Sequence, residues 1–331
     1  MNTTTPFYEW IYSLNTDDYS VGPVHMCERE DDNSLGAQLS VLYFLMFFLS
    51  LVGNGLVLLI IYRFEKLTTV TNIFLLNLVV SDLIFMSSLP FWGIYQQLST
   101  WVFGTSMCKI VGSAYFLGFY SSILFLTLLT FDQHLAVVYS LVASRLRRQT
   151  YAIACCTGVW LLSCLACVKP IILYNVFTDL NNKQFCEEYP SNVMVNTFVD
   201  MSFLKAFWIY LQLFFFFFFP LAAIVYCYIR VTITVVSTRI NAKFRTVRMI
   251  FFIVLIFFLC WTPYNVVLLM HYYFGGSTSC EKMQRLGYAL QVTRNIAYLY
   301  FCISPILYSF VGRKFQNHLR QLLAKSLPCI K

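Results

Sequence analysis

Three ionisable residues stand inside long apolar runs: Asp82 in LNLVVSDLIF, Asp132 in FDQHLAVVYS and Arg294 in LGYALQVTRNIAY. A charge in such a run is costly unless a partner, a wet cavity or a ligand meets it. Each therefore marks a place for ion pairing or hydrogen bonding. Bond-breaking chemistry has no support, and the chain is not expected to be an enzyme. It lacks His-Glu-x-x-His, Gly-x-Ser-x-Gly and the paired aspartates of a membrane protease. Residues 290–311 hold no lysine for a retinal Schiff base. No internal similarity suggests the inverted repeats of a transporter.

Asp82 has neighbours of suitable depth. Asn54 in GNGL, Ser122 and Ser304 are expected to join it in a buried polar cluster that holds water or a sodium ion. The same cluster would also serve as glue between helices. No other metal or cofactor is expected, and no nucleic-acid partner.

The elements that must position these residues are legible in the composition. Of 331 residues, 59% are hydrophobic and 11% charged, and the mean hydropathy is +0.68. A soluble domain is nearer a quarter charged. The apolar excess falls into seven blocks, at about 39–62, 70–97, 107–138, 151–173, 203–236, 247–274 and 286–311. Each is near the roughly 20 residues a helix needs to cross a bilayer. The fold class is thus an all-α membrane protein with a seven-transmembrane helix bundle. Residues 1–38 form an outer tail, 39–311 the bundle and 312–331 an inner tail. Phe315, Leu319, Leu322 and Leu323 in the inner tail would share one face of a short amphipathic helix on membrane lipid.

Orientation follows from basic residues near the block ends. Arg63, Lys66, Arg145, Arg147, Arg148, Arg239, Lys243, Arg245, Arg248, Arg313 and Lys314 fall on one side, which is cytoplasmic. The first residues have no basic start and no apolar core, so the first block is expected to act as signal-anchor. Residues 1–34 carry seven acidic residues against Arg29, net −6, which leaves +14 on the remainder of a chain of net +8. Such a tail attracts basic partners. Tyr19 follows two aspartates and is a candidate for sulfation. Asn2-Thr3-Thr4 is a glycosylation sequon, and Cys329 a candidate for palmitoylation.

There are 12 cysteines. Cys27, Cys108, Cys186 and Cys280 fall on the oxidising side, and four cysteines allow three pairings. The favoured one joins Cys108 to Cys186, tying the third block to an outer loop, and Cys27 to Cys280, tying the tail to the last block. Metal binding is the competitor, but no close Cys/His spacing supports it.

GNGL with Asn54, LNLVVSD, the Asp-x-aromatic slot at DQHLAVV, Trp160, Pro220 with Tyr228, CWTPY with Trp261, and SPILY occur in order, one per block. Together they resemble rhodopsin-like G-protein-coupled receptors over nearly the whole chain. SLPFW, LAVV, the second external cysteine pair and the acidic tail resemble chemokine receptors. LGYALQVTRNIAY is similar to the XC type, in which an arginine occupies the slot of Arg294; many chemokine receptors have glutamate there. The resemblance implies a plasma-membrane receptor whose tail holds the basic body of a chemokine while the chemokine's flexible end enters the bundle. Tyr19 in the tail and Trp92, Tyr95, Tyr115, Tyr264, His271 and Arg294 in the bundle are the expected ligand contacts. Arg294 leads, because a lone cation in a membrane pocket needs an anionic partner.

It also implies a heterotrimeric G protein, of the inhibitory class, on the inner face, with calcium signalling and chemotaxis as outputs. In the family an arginine at position 133 pairs with Asp132 at rest, then swings toward the tyrosines at positions 228 and 308. This chain has Gln133 and His134 in that motif, and Ser304 where the family has asparagine. Glutamine has no charge and two donors where guanidinium has five. Coupling through Asp132, Gln133, His134, Leu141, Tyr228, Trp261 and Tyr308 is therefore expected to be attenuated. A scavenger or decoy, or a receptor for another peptide or a lipid, is the alternative.

Overall fold

In a bilayer each backbone group must be satisfied within its own segment, so apolar blocks of this length become helices. The computed structural model describes residues 34–64, 68–178, 182–188, 201–238, 244–274, 280–311 and 316–321. The first crossing is α1, Ser34–Phe64. The second is α2, Val70–Ser87, which continues after a break at Ser88 as α3, Leu89–Leu98, with Pro90 in its first turn. The third is α4, Gly104–Val138, followed by a short cytoplasmic helix α5, Ser140–Leu146. The fourth is α6, Gln149–Ala166, extended by α7, Val168–Leu173. The fifth comprises α8, Met201–Leu213, a π turn at Phe214–Phe218, and α9, Phe219–Thr238. The last two are α10, Phe244–Phe274, and α11, Cys280–Val311. A short helix α12 covers 316–321.

Six of these crossings are long and apolar enough to span a membrane by composition. The seventh, α11, is less apolar because polar residues point inward: Asn295 and Ser304 are buried and Arg294 lines a cavity. Helix α4 is the central pillar, packed on α2, α6, α9 and α10, and α11 closes the ring between α10 and α1. Helices α4 and α2 approach very closely. A Cβ added at Gly118 would lie 2.5 Å from the backbone nitrogen of Phe85, so only glycine fits there.

The prolines have local consequences. Pro305 has no N–H for the carbonyl of Phe301 four residues back. That carbonyl instead accepts from Ser50 Oγ at 3.0 Å and Asn54 Nδ2 at 3.1 Å, which fastens α1 to α11. Pro220 likewise deprives Phe216. Here the phenylalanine run widens into the π turn, and the N–H of Phe219 donates to the carbonyl of Phe214. Phe216 and Phe217 face the core while Phe214, Phe215 and Phe218 face outward.

On the outer side lie the two strands found among the described residues: β1, Tyr174–Thr178, and β2, Gln184–Glu188, antiparallel with Val176 opposite Cys186. Cys186 is bridged to Cys108 on α4, Cα to Cα 5.6 Å. The hairpin is further held by Trp101, whose N–H donates to Gln184 O at 2.7 Å. The Trp101 indole donates to Gly104 O at 2.8 Å, and Gly104 takes a φ of +75° at the start of α4. On the inner side Leu319 of α12 packs on the core and His318 stacks on Phe64 at 4.8 Å. The expected face of this helix is thus represented by Leu319; Phe315, Leu322 and Leu323 lie outside the described residues.

Candidate ligand pocket and cytoplasmic switch

The outer ends of α1, α3, α4, α10, α11 and β1 line a small pocket that opens outward. Trp92 and Gln96 come from one face of α3, Tyr115 and Phe116 from α4, Tyr264 from α10, and Arg294 and Tyr298 from successive turns of α11. Tyr43 and Tyr174 complete the wall. Four of the expected contacts, Trp92, Tyr115, Tyr264 and Arg294, are thereby brought together. Among the described residues no carboxylate lies within ion-pair distance of Arg294. Tyr43, Tyr115, Tyr264 and Tyr298 share the pocket with it. The Tyr115 and Tyr298 rings are 5.9 Å apart, and those of Tyr43 and Tyr298 5.8 Å.

Tyr95 sits elsewhere. It packs with Trp101, Val111 and the Cys108–Cys186 bridge, edge-on to Trp101 at 5.7 Å, and so supports the rim beneath the hairpin. His271 lies two turns outward of Tyr264 on α10, half-buried and outside the lining. Tyr19, Asn2, Cys27 and Cys329 fall outside the described residues, as do the side chains of Cys280 and Tyr308. The expected Cys27–Cys280 pair therefore lies outside them too. Tyr43, Gln96, Phe116, Tyr174 and Tyr298 line the pocket without having been singled out by the sequence. Gln96 and Tyr298 each stand four residues from an expected contact, on the same helical face, and could have been found. Nothing local marks Tyr43 or Tyr174.

A column of rings descends from the pocket floor. Phe85 lies 4.8 Å from Tyr115, 5.2 Å from Tyr298 and 6.2 Å from Trp261. Trp261 is buried against Phe119 at 4.1 Å and Phe257 at 5.8 Å. Close-packed rings transmit displacement because no void absorbs it. Beside the column, buried Asp82 accepts from Ser122 at 2.8 Å and Ser304 at 3.1 Å. The shorter Ser304 thus still reaches the aspartate across helices. Asn54 does not bond Asp82; its amide donates to Ser50 and Phe301, and its Oδ1 is buried without a partner.

At the cytoplasmic end Asp132 is fully buried, yet its guanidinium partner comes from the loop. Arg147 donates from Nε at 2.7 Å and from Nη2 at 2.8 Å to the two carboxylate oxygens. Thr71 on α2 donates to the same carboxylate at 2.8 Å and accepts from Arg147 at 3.0 Å. Gln133 reaches this group only marginally, at 3.5 Å to Asp132 and 3.4 Å to Thr71. So the loss of arginine at position 133 does not strip Asp132 of a charge-assisted contact, as that substitution alone suggests. His134 is buried among the rings of Phe131, Tyr139 and Tyr226, with neither ring nitrogen bonded. Tyr228 lies edge-on to Phe251 at 5.1 Å. Leu141, at the start of α5, is 84% exposed.

Residues 53–308 match the family model "7 transmembrane receptor (rhodopsin family)". The human C-C chemokine receptor type 1 is 35% identical over 310 residues, covering 93% of this chain and 85% of that receptor. The type 3 receptor of Cavia porcellus is 36% identical over 304 residues, with 91% and 83% covered. A protein described as a probable type 3 receptor in Mus musculus is 35% identical over 321 residues, with 96% and 84% covered.

Proposed function

The chain belongs to the rhodopsin family of seven-transmembrane receptors, among the chemokine receptors, and from that premise we propose that it binds a basic chemokine of the XC kind at the plasma membrane and signals weakly to an inhibitory-class heterotrimeric G protein. The single observation that carries the weak-signalling reading is the cytoplasmic triad of Asp132, Arg147 and Thr71. The guanidinium that holds Asp132 belongs to the loop, and position 133 offers only an amide. When the helices part, no cation on α4 is released from Asp132 to meet the transducer. The remaining contacts are Leu141, the basic loop residues and the tyrosines at 228 and 308. Arg294 favours the XC kind, while the relatives at 35–36% identity are C-C receptors. The pocket contacts proposed are Trp92, Tyr115, Tyr264 and Arg294, with Tyr95 and His271 at the rim and Tyr19 in the tail.

The cluster around Asp82 offers hard oxygen donors suited to a monovalent cation: a carboxylate and the Ser122 and Ser304 hydroxyls. We propose sodium there in the resting receptor, where it would offset the buried carboxylate charge. The inner ends of the helices then stay together until the ring column around Trp261 shifts.

The test uses cells expressing the wild-type chain and Gln133→Arg at equal surface level, with a panel of basic chemokines. G-protein dissociation and labelled-chemokine binding are read in parallel. Equal binding with about tenfold stronger dissociation from Gln133→Arg is expected. Equal, strong signalling from both would overturn attenuation. A second reading, a decoy with no G-protein output, draws on the same glutamine. It predicts binding and internalisation by wild type with no dissociation at any ligand concentration.

A further inference from the structure

The polar inventory of the outer pocket is one-sided. Among the described residues its lining holds one guanidinium, one indole, one amide and several tyrosine hydroxyls, and no Asp, Glu or Lys. The Trp92 indole N–H is buried and has no acceptor. The Gln96 Oε1, an acceptor, is already taken by Gln291 Nε2 at 3.1 Å. Donors therefore outnumber free strong acceptors. The neighbouring tyrosine oxygens soften the field of Arg294 but do not cancel its charge. Elsewhere on this side the chain supplies its own counterion: Lys169, buried against the Phe116 ring, pairs with Glu188 at 2.7 Å. At Arg294 it supplies none among the described residues.

We infer that the pocket is built for an anionic ligand end: the segment that enters it carries a carboxylate within reach of Arg294. This deepens the proposed function and rests on it for the identity of the ligand body. A carboxylate matches the guanidinium fork with two parallel hydrogen bonds, a geometry an ammonium or amide cannot reproduce. An ammonium at the same place would face a like charge in a low-dielectric cavity. The sequence of the tail, net −6 over residues 1–34, asks for the opposite sign. The ligand is thus basic in its body and acidic at its inserted tip.

Two displayed libraries test this against the full-length receptor. One randomises the residues ahead of the first cysteine of a basic chemokine scaffold; the other consists of free linear hexapeptides. Each is sorted on wild type, Arg294→Gln and Arg294→Lys at matched surface level. Asp and Glu should be enriched about tenfold to a hundredfold on wild type, as expected for a desolvated charge pair. The enrichment should vanish on Arg294→Gln and persist in part on Arg294→Lys, which shows that charge rather than folding is read. Scaffold binding without acidic enrichment, or with equal enrichment on Arg294→Gln, overturns the inference and leaves the chemokine reading standing. Acidic hexapeptides retained through Arg294 while no scaffold binds would do the opposite: the anionic pocket stands and the chemokine reading falls. Retention of neither library overturns both.

Discussion

Two arginines at opposite ends of the bundle meet opposite treatment. Arg147 is bound through two nitrogens to buried Asp132 and through one to Thr71. Arg294 lines a pocket with several tyrosines and no carboxylate within ion-pair distance among the described residues. Among the described residues the inner site is internally complete, whereas the outer one lacks a counterion. An interaction satisfied within the chain adds to resting stability. One left open holds binding energy for the partner, at a standing desolvation cost. A receptor needs both: a closed inner face to stay silent and an unsatisfied outer face to be driven.

The largest expected effect is at the closed end. Arg147→Ala leaves the Asp132 carboxylate buried with only Thr71 and the marginal Gln133. Arg147 is partly exposed, at 29%, so the loss should be about 2–3 kcal/mol, below that of a fully buried pair. A drop of several degrees in the thermal midpoint of the purified receptor, with raised basal G-protein dissociation, would be the sign. An unchanged midpoint would mean that the triad contributes nothing to the resting state.

Next comes relocation of the cation. Gln133→Arg with Arg147→Gln moves the guanidinium from loop to helix without changing net charge. About half the stability lost in Arg147→Ala should return, and agonist-driven dissociation should exceed that of Gln133→Arg alone, because no loop arginine competes for Asp132. If the double variant signals no better than wild type, the position of the guanidinium does not set output.

The open end should respond in the other direction. Without ligand, Arg294→Gln is expected to stabilise the protein by up to ~1 kcal/mol, read as a slightly raised thermal midpoint, because an unpaired charge leaves a membrane cavity. A clear destabilisation would reveal an internal counterion and break the comparison. The smallest effect is Trp92→Phe, which removes a buried N–H without a partner: a gain of a few tenths of a kcal/mol on the unliganded protein, and no change in binding of an acidic tip. Parallel melts and competition binding would separate the two.

Much of the outer site was legible. Arg294 stood out as a lone cation in an apolar block, and Trp92, Tyr115 and Tyr264 were expected through the resemblance to chemokine receptors; the structure brings the four together. Topology sorted four cysteines to the outer side and left three pairings; the favoured one includes the Cys108–Cys186 bridge that the structure holds. The inner site was read only in half. Asp132 and Gln133 announce themselves, but Arg145, Arg147 and Arg148 are equivalent in a basic loop, and choosing among them takes the three-dimensional path of α5. Asn54 was grouped with Asp82 by depth, yet it bonds Ser50 and the carbonyl that Pro305 releases.

What the sequence by itself determined is what local rules control. Block length and hydropathy set the number of crossings, basic residues set their direction, and proline frees particular carbonyls, because bilayer thickness and backbone hydrogen bonding act segment by segment. What only the tertiary structure decided is the choice of partner: Arg147 rather than Gln133 for Asp132, Tyr43 and Tyr174 beside Arg294, Gly118 against Phe85. Such pairings depend on the rotation and tilt of helices about one another. Those are set by packing among residues far apart in the chain, and no local pattern encodes them.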